Sequence, residues 1–312
     1  MSDISRNREV GYIEEMNIRF KIAIAMAGAA ILLLMVLVSL WGGDGAASAT
    51  PTAEGSLDEQ LTALLATDTD VDYRVHAFRL GISKTASRGL FIKDSTLPKR
   101  IPIAFAMWLI ESRDRRILVD TGFVNKGMIE KWNITDYAPP MDALKNAGFD
   151  KDRITDVIVT HRHWDHVGGL TSFEDATIWI PKITFRSLRQ SRRFRTFFDD
   201  AEAAGRLKKT EDLTRVAPGV VTVHVGLHAP GSQIVVVNRK GKRWILASDS
   251  TPLFANYERK KPTGQSSDPQ RTLDTQETIL KWVNGDLGRI VPGHEPSLFK
   301  GKAHVVVTDK SD

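Results

Sequence analysis

Apolar and polar positions divide the chain into three parts. The first contains an apolar run, residues 22–41, which has no charged side chain and follows the basic residues Arg19 and Lys21. Its length matches the ~20 residues that a helix needs to span a bilayer. Residues 42–69 begin with a stretch rich in Gly, Ala, Ser and Thr, which predicts a flexible linker. The third part, residues 70–312, has the patterns of a folded domain.

Residues 1–41 have two interpretations, and both place the folded domain outside the cytoplasm. Ala47-Ser48-Ala49 fits a signal-peptidase site, but the apolar run exceeds the roughly 7–15 residues of a signal-peptide core. An uncleaved N-terminal membrane anchor fits that length better. In both cases the basic flank stays cytoplasmic. We therefore expect an exported protein, periplasmic or secreted, with a membrane tether if the segment is retained.

Short apolar runs within residues 70–312 predict many strands and few helices. The predicted strands are residues 73–80, 104–111, 116–120, 154–160, 177–180, 220–225, 233–238, 243–247, 289–291 and 304–308. Helices are predicted at 141–147, 182–209 and 268–284, and a surface loop at 81–102. Because strands come in runs rather than in strict βαβ alternation, we expect an α/β fold. Its two mainly antiparallel or mixed sheets should stack face to face with helices outside.

Composition and charge exclude several classes of site and partner. The chain contains no cysteine, so it has neither disulfides nor thiolate metal ligands. Its formal charge is +5, from 43 Lys and Arg against 38 Asp and Glu, which is modest for this length. The densest basic cluster comprises Arg189, Arg192, Arg193, Arg195, Lys208 and Lys209. No nucleic-acid motif with interleaved aromatic residues accompanies it, so no nucleic-acid partner is expected.

A dense set of metal-ligand residues follows the predicted strand 154–160. Three of the eight histidines and one aspartate lie within six positions: His161, His163, Asp165 and His166. Neutral imidazole and carboxylate are ligands for zinc and similar ions. His161 and His163 are two apart in an extended segment and point to one side. Asp165 and His166 follow where the next helix begins, so the four can be shared between two ions if distant segments supply more ligands.

Three more candidate ligands follow later strands. His228 lies before a Pro-Gly turn, Asp249 ends a buried strand, and His294 follows Pro292-Gly293. An aspartate can bridge two metals because it has two oxygens. His224 is the rival to His228, but it lies inside an alternating strand. The remaining histidines are predicted to be packed or surface residues: His76, His224 and His304.

These residues in this order resemble the metallo-β-lactamase superfamily. The seven ligand positions are His161, His163, Asp165, His166, His228, Asp249 and His294. The strand and turn at Leu118-Val119-Asp120-Thr121-Gly122 also match, and the resemblance covers about residues 70–308. It implies an αββα sandwich with a metal site at one edge of the sheets. It also implies that the domain is a hydrolase.

The resemblance also implies roles for these side chains. Two divalent ions, expected to be zinc, would be bound: one by His161, His163 and His228, the other by Asp165, His166 and His294. Asp249 would bridge both beside a hydroxide, which a metal ion makes available near neutral pH. The same ligands also suit iron, manganese or cobalt.

Two aspartates have further roles to test. Asp165 could also pass a proton to the leaving group. Asp120 resembles an acid that orients a ligand imidazole, although it could instead close its own turn by binding backbone amides.

The bridging Asp249 narrows the expected substrate. It resembles the lactonase and glyoxalase branches more than the true β-lactamases, which lack that carboxylate. The segments 247–257 and 291–296 look most like N-acyl homoserine lactonases. Some of those lactonases have a tyrosine three residues after the aspartate, where this chain has Pro252. Tyr257 could replace it from further along the loop, or could simply pack.

Three hypotheses about function follow. The first is a lactonase that opens an acyl homoserine lactone or similar small-molecule ester. The second is another small-molecule hydrolase of this fold, of thioesterase, glyoxalase II or β-lactamase type. The third is a nucleic-acid-acting or non-catalytic member, against which the export segment and the seven intact ligands both argue. Residues 81–103 and 182–215 are candidate pocket walls, because loops around a rigid scaffold set specificity.

Overall fold

The computed structural model describes residues 55–68 and 71–310. The apolar run at 22–41 and half of the predicted linker, residues 42–54 and 69, lie outside these residues. Within the described part, no helix combines the length and apolar character needed to cross a membrane. The signal-peptide and anchor interpretations therefore stay predictions.

Thirteen strands form two sheets in the described part of the chain. They are β1 (Arg74–Ser87), β2 (Arg100–Glu111), β3 (Arg116–Val119), β4 (Ile134–Thr135), β5 (Asp156–Ile158), β6 (Thr177–Pro181), β7 (Leu207–Thr210), β8 (Leu213–Ala217), β9 (Val220–His224), β10 (Gln233–Arg239), β11 (Lys242–Ser248), β12 (Ile290–Pro292) and β13 (His304–Val306). The first sheet has the order β13-β1-β2-β3-β5-β6-β7 with β4 on β1, and the second has β12-β11-β10-β9-β8. Strands β3, β5, β6 and β7 are parallel, as are β11 and β12, and the other pairs are antiparallel. Both sheets are therefore mixed, as predicted.

Eight α-helices connect and cover these strands in the described part. They are α1 (Leu57–Leu65), α2 (Lys126–Lys131), α3 (Pro140–Asn146), α4 (Trp164–Val167), α5 (Lys182–Leu188), α6 (Arg192–Ala203), α7 (Phe254–Glu258) and α8 (Pro269–Trp282). Short 3₁₀ turns make most of the remaining connections.

Three hydrophobic cores show the layering of the domain. Trp108 of β2 and Leu246 of β11 belong to the core between the two sheets. Phe198 of α6 belongs to the core on the outer face of the first sheet. Leu61 of α1 and Ile279 of α8 cover the outer face of the second sheet. The fold is the predicted αββα sandwich, and β2 is apolar on both faces because both of its faces are buried.

The predicted linker is wrong where α1 forms. Ser56 and Glu59 make a capping box, in which the Ser56 side chain accepts from Glu59 N and the Glu59 carboxylate accepts from Ser56 N at 2.6 Å. Leu61 and Leu65 are then buried against the second sheet. The compact domain thus begins by Gly55 rather than at residue 70.

Two further predicted boundaries are wrong. The expected surface loop at 81–102 is strand at both ends, since β1 continues to Ser87 and β2 begins at Arg100. Irregular register between Arg79 and Gly81 and again between Ser83 and Ala86 lets this polar segment stay paired. The predicted helix at 182–209 is instead α5, α6 and β7. Gly205, at φ +70°, ends the helical part.

The strand directions bring the candidate ligands to one edge of the sandwich. Strands β3 and β5 run parallel in the first sheet. Strands β9, β11 and β12 share a direction in the second, because β9 and β11 are both antiparallel to β10 and β12 is parallel to β11. The segments that follow them carry Asp120, His161, His228, Asp249 and His294.

Candidate metal centre

Seven side chains converge at this edge in two groups. The donor atoms within each group lie within 4.8 Å of one another. The first group is His161, His163, His228 and Asp249, and the second is Asp165, His166 and His294. All are buried except His163, which is half-buried. The structure therefore brings together every ligand candidate found in the sequence.

Asp249 connects the two groups through its two oxygens. Its Oδ2 lies 3.2 Å from His228 Nε2 and 3.7 Å from His161 Nε2. Its Oδ1 lies 3.1 Å from His294 Nε2 and 3.2 Å from His166 Nε2. Each oxygen therefore faces histidines of a different group, as a bridging carboxylate requires.

The two remaining donors, His163 and Asp165, each lie close to two histidines of their own group. His163 Nδ1 lies 3.0 Å from His161 Nε2 and 2.9 Å from His228 Nε2. Asp165 Oδ2 lies 3.6 Å from His166 Nε2 and 3.7 Å from His294 Nε2. His163 thus offers Nδ1, whereas the other four histidines offer Nε2.

The outward nitrogens of the second-group histidines are held by acceptors. His166 Nδ1 donates to Asp120 Oδ2 at 2.7 Å, and His294 Nδ1 donates to the Ala104 carbonyl at 2.9 Å. Because carboxylate and carbonyl oxygens accept, both rings keep their proton on Nδ1 and direct a lone pair from Nε2 into the site. Asp120 therefore orients the imidazole of His166, a candidate ligand, and the backbone amide that it binds belongs to Thr160 rather than to its own turn.

Two glycines allow the segments to pack this closely. A Cβ on Gly169, after the histidine cluster, would lie 2.4 Å from the Thr121 carbonyl oxygen. A Cβ on Gly293 would lie 2.7 Å from the Ser248 carbonyl oxygen and 2.8 Å from Asp249 Oδ1. A side chain at either position would displace the backbone that holds the ligands.

Burial and mutual charge set the protonation of the donors. Burial lowers the pKa of His161, and it lowers the pKa of His228 to about 4. Burial opposes charge on His166 as well, but the carboxylates of Asp249 and Asp120 raise its pKa well above the usual value. Burial opposes the ionised form of Asp249, but the charges of His294, His166 and His228 outweigh it and lower the pKa of this carboxyl. A bound cation would take the place of the proton on His166.

The chemistry of these residues fits divalent metal ions. His166 Nε2 and Asp249 Oδ1 are buried and have no hydrogen-bond partner among the described residues, although they lie 3.2 Å apart. Unpaired buried donors and acceptors are costly unless another group satisfies them. A set of imidazoles and carboxylates without thiolate suits zinc, and also iron, manganese or cobalt.

Aromatic rings form one wall of the centre. The Phe91 and Phe105 rings lie 5.0 and 5.5 Å from the His294 ring, centroid to centroid. Trp132 packs behind them, 6.2 Å from Phe91 and 5.9 Å from Phe105. Trp132 also lines a cavity of about 470 Å³ whose other lining residues include Ser83–Ser87, apart from Lys84, and Leu90. The predicted 81–103 wall thus lines a cavity next to the aromatic wall.

Several sequence candidates lie outside the centre. Tyr257 packs in the outer core of the second sheet, and burial raises the pKa of its hydroxyl. Tyr257 therefore packs in the core and does not take the place of the tyrosine that is missing at position 252. His76 is buried against His304, and His224 is half-buried with Nε2 3.4 Å from Thr210 Oγ1.

Two residues whose hydroxyls lie next to the candidate ligands were not found from the sequence. They are Thr160 and Ser248, whose hydroxyls lie 2.9 Å apart. They are 88 positions apart in the chain, and no local pattern predicts that pairing.

Comparison with known proteins agrees with this geometry. The family model described as the metallo-beta-lactamase superfamily matches residues 106–294. An N-acyl homoserine lactonase of a Bacillus species is 24% identical over 224 residues, covering 67% of this chain and 88% of that protein. A probable metallo-hydrolase of Mycobacterium tuberculosis is 24% identical over 231 residues, covering 63% and 73%.

Solved structures agree on the fold. The crystal structure of a quorum-quenching N-acyl homoserine lactone lactonase superposes with a TM-score of 0.59 at 21% identity, covering 75% of this chain and 96% of that one. The predicted fold is therefore confirmed, and the chain belongs to the metallo-beta-lactamase superfamily as a metallo-hydrolase of that fold.

Proposed function

We propose that this protein is a two-metal lactonase that opens an acyl homoserine lactone or a similar small-molecule ester. The observation that carries the proposal is Asp249, whose two oxygens face different groups of histidines. The similarity to N-acyl homoserine lactonases supports the choice of substrate class.

In this proposal the two groups of side chains bind two zinc ions. One ion would be held by His161, His163 and His228, the other by Asp165, His166 and His294, with Asp249 between them. Bound ions would supply a Lewis acid for the ester carbonyl and a water nucleophile at neutral pH.

The protein's own residues would orient the metal ligands and keep water from one side of the site. Asp120 and the Ala104 carbonyl fix the rings of His166 and His294, so the ligands are organised before substrate binds. Asp165, 8% exposed, is the side chain we assign to take a proton from the attacking water and pass it to the departing oxygen. The Phe91 and Phe105 rings would keep water from that side of the site and contact apolar parts of the substrate.

One observation favours a second candidate, a thioesterase of glyoxalase II type. Pro252 provides no hydroxyl three residues after Asp249. An alkoxide leaving group needs a proton, whereas a thiol ionises with a pKa near ~8.5 and leaves readily as thiolate. The lack of a hydroxyl at position 252 would therefore slow the hydrolysis of a thioester less than that of a lactone.

A substrate panel on the zinc-loaded protein separates the candidates. Acyl homoserine lactones, S-lactoylglutathione and nitrocefin are assayed with metal content measured on the same samples. We expect two zinc ions per chain and the highest kcat/KM on the lactones. Strong hydrolysis of either other substrate without lactone turnover would reject the lactonase. Tyr257→Phe serves as a matched control, since this residue packs away from the centre and its loss should not change the ranking.

We propose further that the protein is exported and can remain tethered through residues 22–41. The apolar run and the preceding basic residues support this. Intact-mass analysis of the protein isolated from membrane and soluble fractions tests it. A mass that includes residue 1 in the membrane fraction supports an anchor, and a chain beginning near residue 50 supports cleavage. A full-length chain in the cytoplasm would contradict export.

A further inference from the structure

Thr160 lies between β5 and the first candidate ligand, and its hydroxyl meets three side chains. The residue is fully buried. Its Oγ1 lies 2.7 Å from Asp120 Oδ2, 2.9 Å from Ser248 Oγ and 3.1 Å from His161 Nδ1. None of these three contacts belongs to a strand ladder, and all are made by one atom.

The chemistry of the partners fixes the direction of each bond. A carboxylate only accepts, so Thr160 donates its single proton to Asp120. The two lone pairs of Oγ1 can then only accept, from the Ser248 hydroxyl and from His161 Nδ1–H. All the hydrogen-bonding capacity of the hydroxyl is used, and His161 keeps its proton on Nδ1. Its Nε2 is left as a lone pair that faces His163 Nδ1 at 3.0 Å.

The same bonds connect the two groups of ligands. Asp120 Oδ2 accepts both from Thr160 and from His166 Nδ1, each at 2.7 Å. A continuous path therefore runs from His161 of the first group through Thr160 and Asp120 to His166 of the second.

Ser248 extends the path to Asp249, which follows it directly. Ser248 has φ +46°, a left-handed conformation that is unfavourable for a non-glycine residue and persists where its surroundings enforce it. The bond from its hydroxyl to Thr160 is one of the contacts that hold it.

We propose that Thr160 is a positioning residue that fixes the tautomer of His161 and couples the two metal-binding groups. The first part concerns the protein alone. The second part rests on the proposed two-metal function.

A matched pair of substitutions separates the hydroxyl from the packing of this buried side chain. Thr160→Val keeps the size and branching of the side chain and removes the hydroxyl. Thr160→Ser keeps the hydroxyl and removes the methyl group. The proposal requires that the serine variant resemble the natural protein and the valine variant differ from it.

The first measurement is long-range ¹H–¹⁵N NMR of the metal-free protein with labelled histidine. We expect the Nδ1-protonated pattern for His161 in the natural protein and in Thr160→Ser. In Thr160→Val we expect a shift towards the Nε2-protonated form. An unchanged Nδ1-protonated pattern in Thr160→Val would overturn the tautomer assignment, whether or not the protein proves to bind two ions.

The second measurement is zinc titration against a competing chelator. Loss of a partner of a metal ligand commonly weakens metal affinity about 10–100-fold. We expect a loss of this size for both ions in Thr160→Val and a loss under about 3-fold in Thr160→Ser. Loss at one ion only would overturn the coupling, and equal losses in the two variants would assign the effect to packing.

A third variant covers the case in which Thr160→Val does not fold. Ser248→Ala removes one of the two bonds that Thr160 accepts and leaves its bond to Asp120 intact. We expect a loss of about 3–10-fold at both ions, with His161 still protonated on Nδ1. Natural affinity at both ions in Ser248→Ala would overturn the extension of the path to Asp249.

Discussion

His76 Nδ1 and His304 Nε2 lie 3.0 Å apart on the first sheet, the same distance that separates His161 Nε2 from His163 Nδ1 at the sandwich edge. His76 and His161 are both buried. The local contact is the same in the two places, but the groups on the outer side of each ring differ.

At the first sheet a carboxylate lies on the outer side of the pair. His76 Nε2 faces Glu111 Oε2 at 3.3 Å, which favours a proton on that nitrogen. Nδ1 is then free to accept from His304 Nε2–H, and two neutral rings form an ordinary hydrogen bond. Within residues 55–68 and 71–310 this pair belongs to no cluster of metal-ligand atoms, and no ion is needed between the rings.

At the sandwich edge the outer acceptors have the opposite effect. They accept hydrogen bonds from the Nδ1–H groups of His161, His166 and His294, which leaves Nε2 of each neutral ring as a lone pair that faces the site. Asp249 adds a carboxylate between them. The partner on the far nitrogen therefore distinguishes a structural histidine pair from a cation site, which is the usual role of such partners.

The largest expected effect comes from Asp249→Ala. Removal of the carboxylate that faces both groups should reduce metal content below two ions and lower turnover more than about 100-fold, beyond the loss usual for a mere partner of a ligand. Metal analysis and kcat/KM on the same sample check this. Two bound ions with an unchanged rate would show that Asp249 does not bridge.

Glu111→Gln is the matched control at the other pair. It removes a carboxylate that faces a buried imidazole, as Asp249→Ala does. Because this pair binds no ion in our account, metal content and turnover should stay unchanged. A loss of metal in this variant would remove the distinction between the two histidine sites.

The next largest effect is expected for Asp120→Ala. His166 would lose the acceptor on Nδ1, and Thr160 would lose two hydrogen bonds. We expect zinc affinity to fall about 10–100-fold, measured by chelator competition. Unchanged affinity would mean that packing alone holds the His166 ring.

The sequence predicted the set of candidate ligands better than it predicted where the surrounding helices, strands and domain begin and end. Four ligands lie in one segment, and the other three follow strands, so the edge of a sandwich could be expected to collect them. Thr160 and Ser248 could not be found in this way, because their contact depends on how the two sheets meet. The helix α1 carried a local signal, Ser56 followed by Glu59, within a composition typical of a linker.

A smaller effect on stability is expected at the first-sheet pair at acid pH. Burial, the His304 charge and Arg74 lower the pKa of His76 to about 4, against the partial opposition of Glu111. The unfolded chain therefore binds a proton near pH 6.5 that the folded protein does not. The stability that neutral His76 contributes should be lost as pH drops from about 6.5 to about 4, with no further change from this residue below that range.

His76→Gln should reduce this acid dependence. Urea unfolding of the metal-free protein at pH 7 and pH 4.5 compares the two proteins. If the difference in unfolding free energy between the two pH values is the same in both, His76 does not contribute to acid sensitivity.

The smallest effect is expected for His224→Ala, the rival of His228 in the sequence. His224 Nε2 contacts only Thr210 Oγ1 among the described residues, at 3.4 Å, and lies outside both ligand groups. Metal content and kcat/KM should remain at natural values, whereas His228→Ala should lose the ion of the first group. Equal losses in the two variants would contradict the assignment of His228.

Anomalous diffraction at the zinc edge from crystals of the zinc-loaded protein tests the central claim most directly. We predict two peaks, one among His161, His163 and His228 and one among Asp165, His166 and His294, each next to a different oxygen of Asp249. A single peak, or none at this edge with zinc bound between His76 and His304, would contradict a two-metal centre.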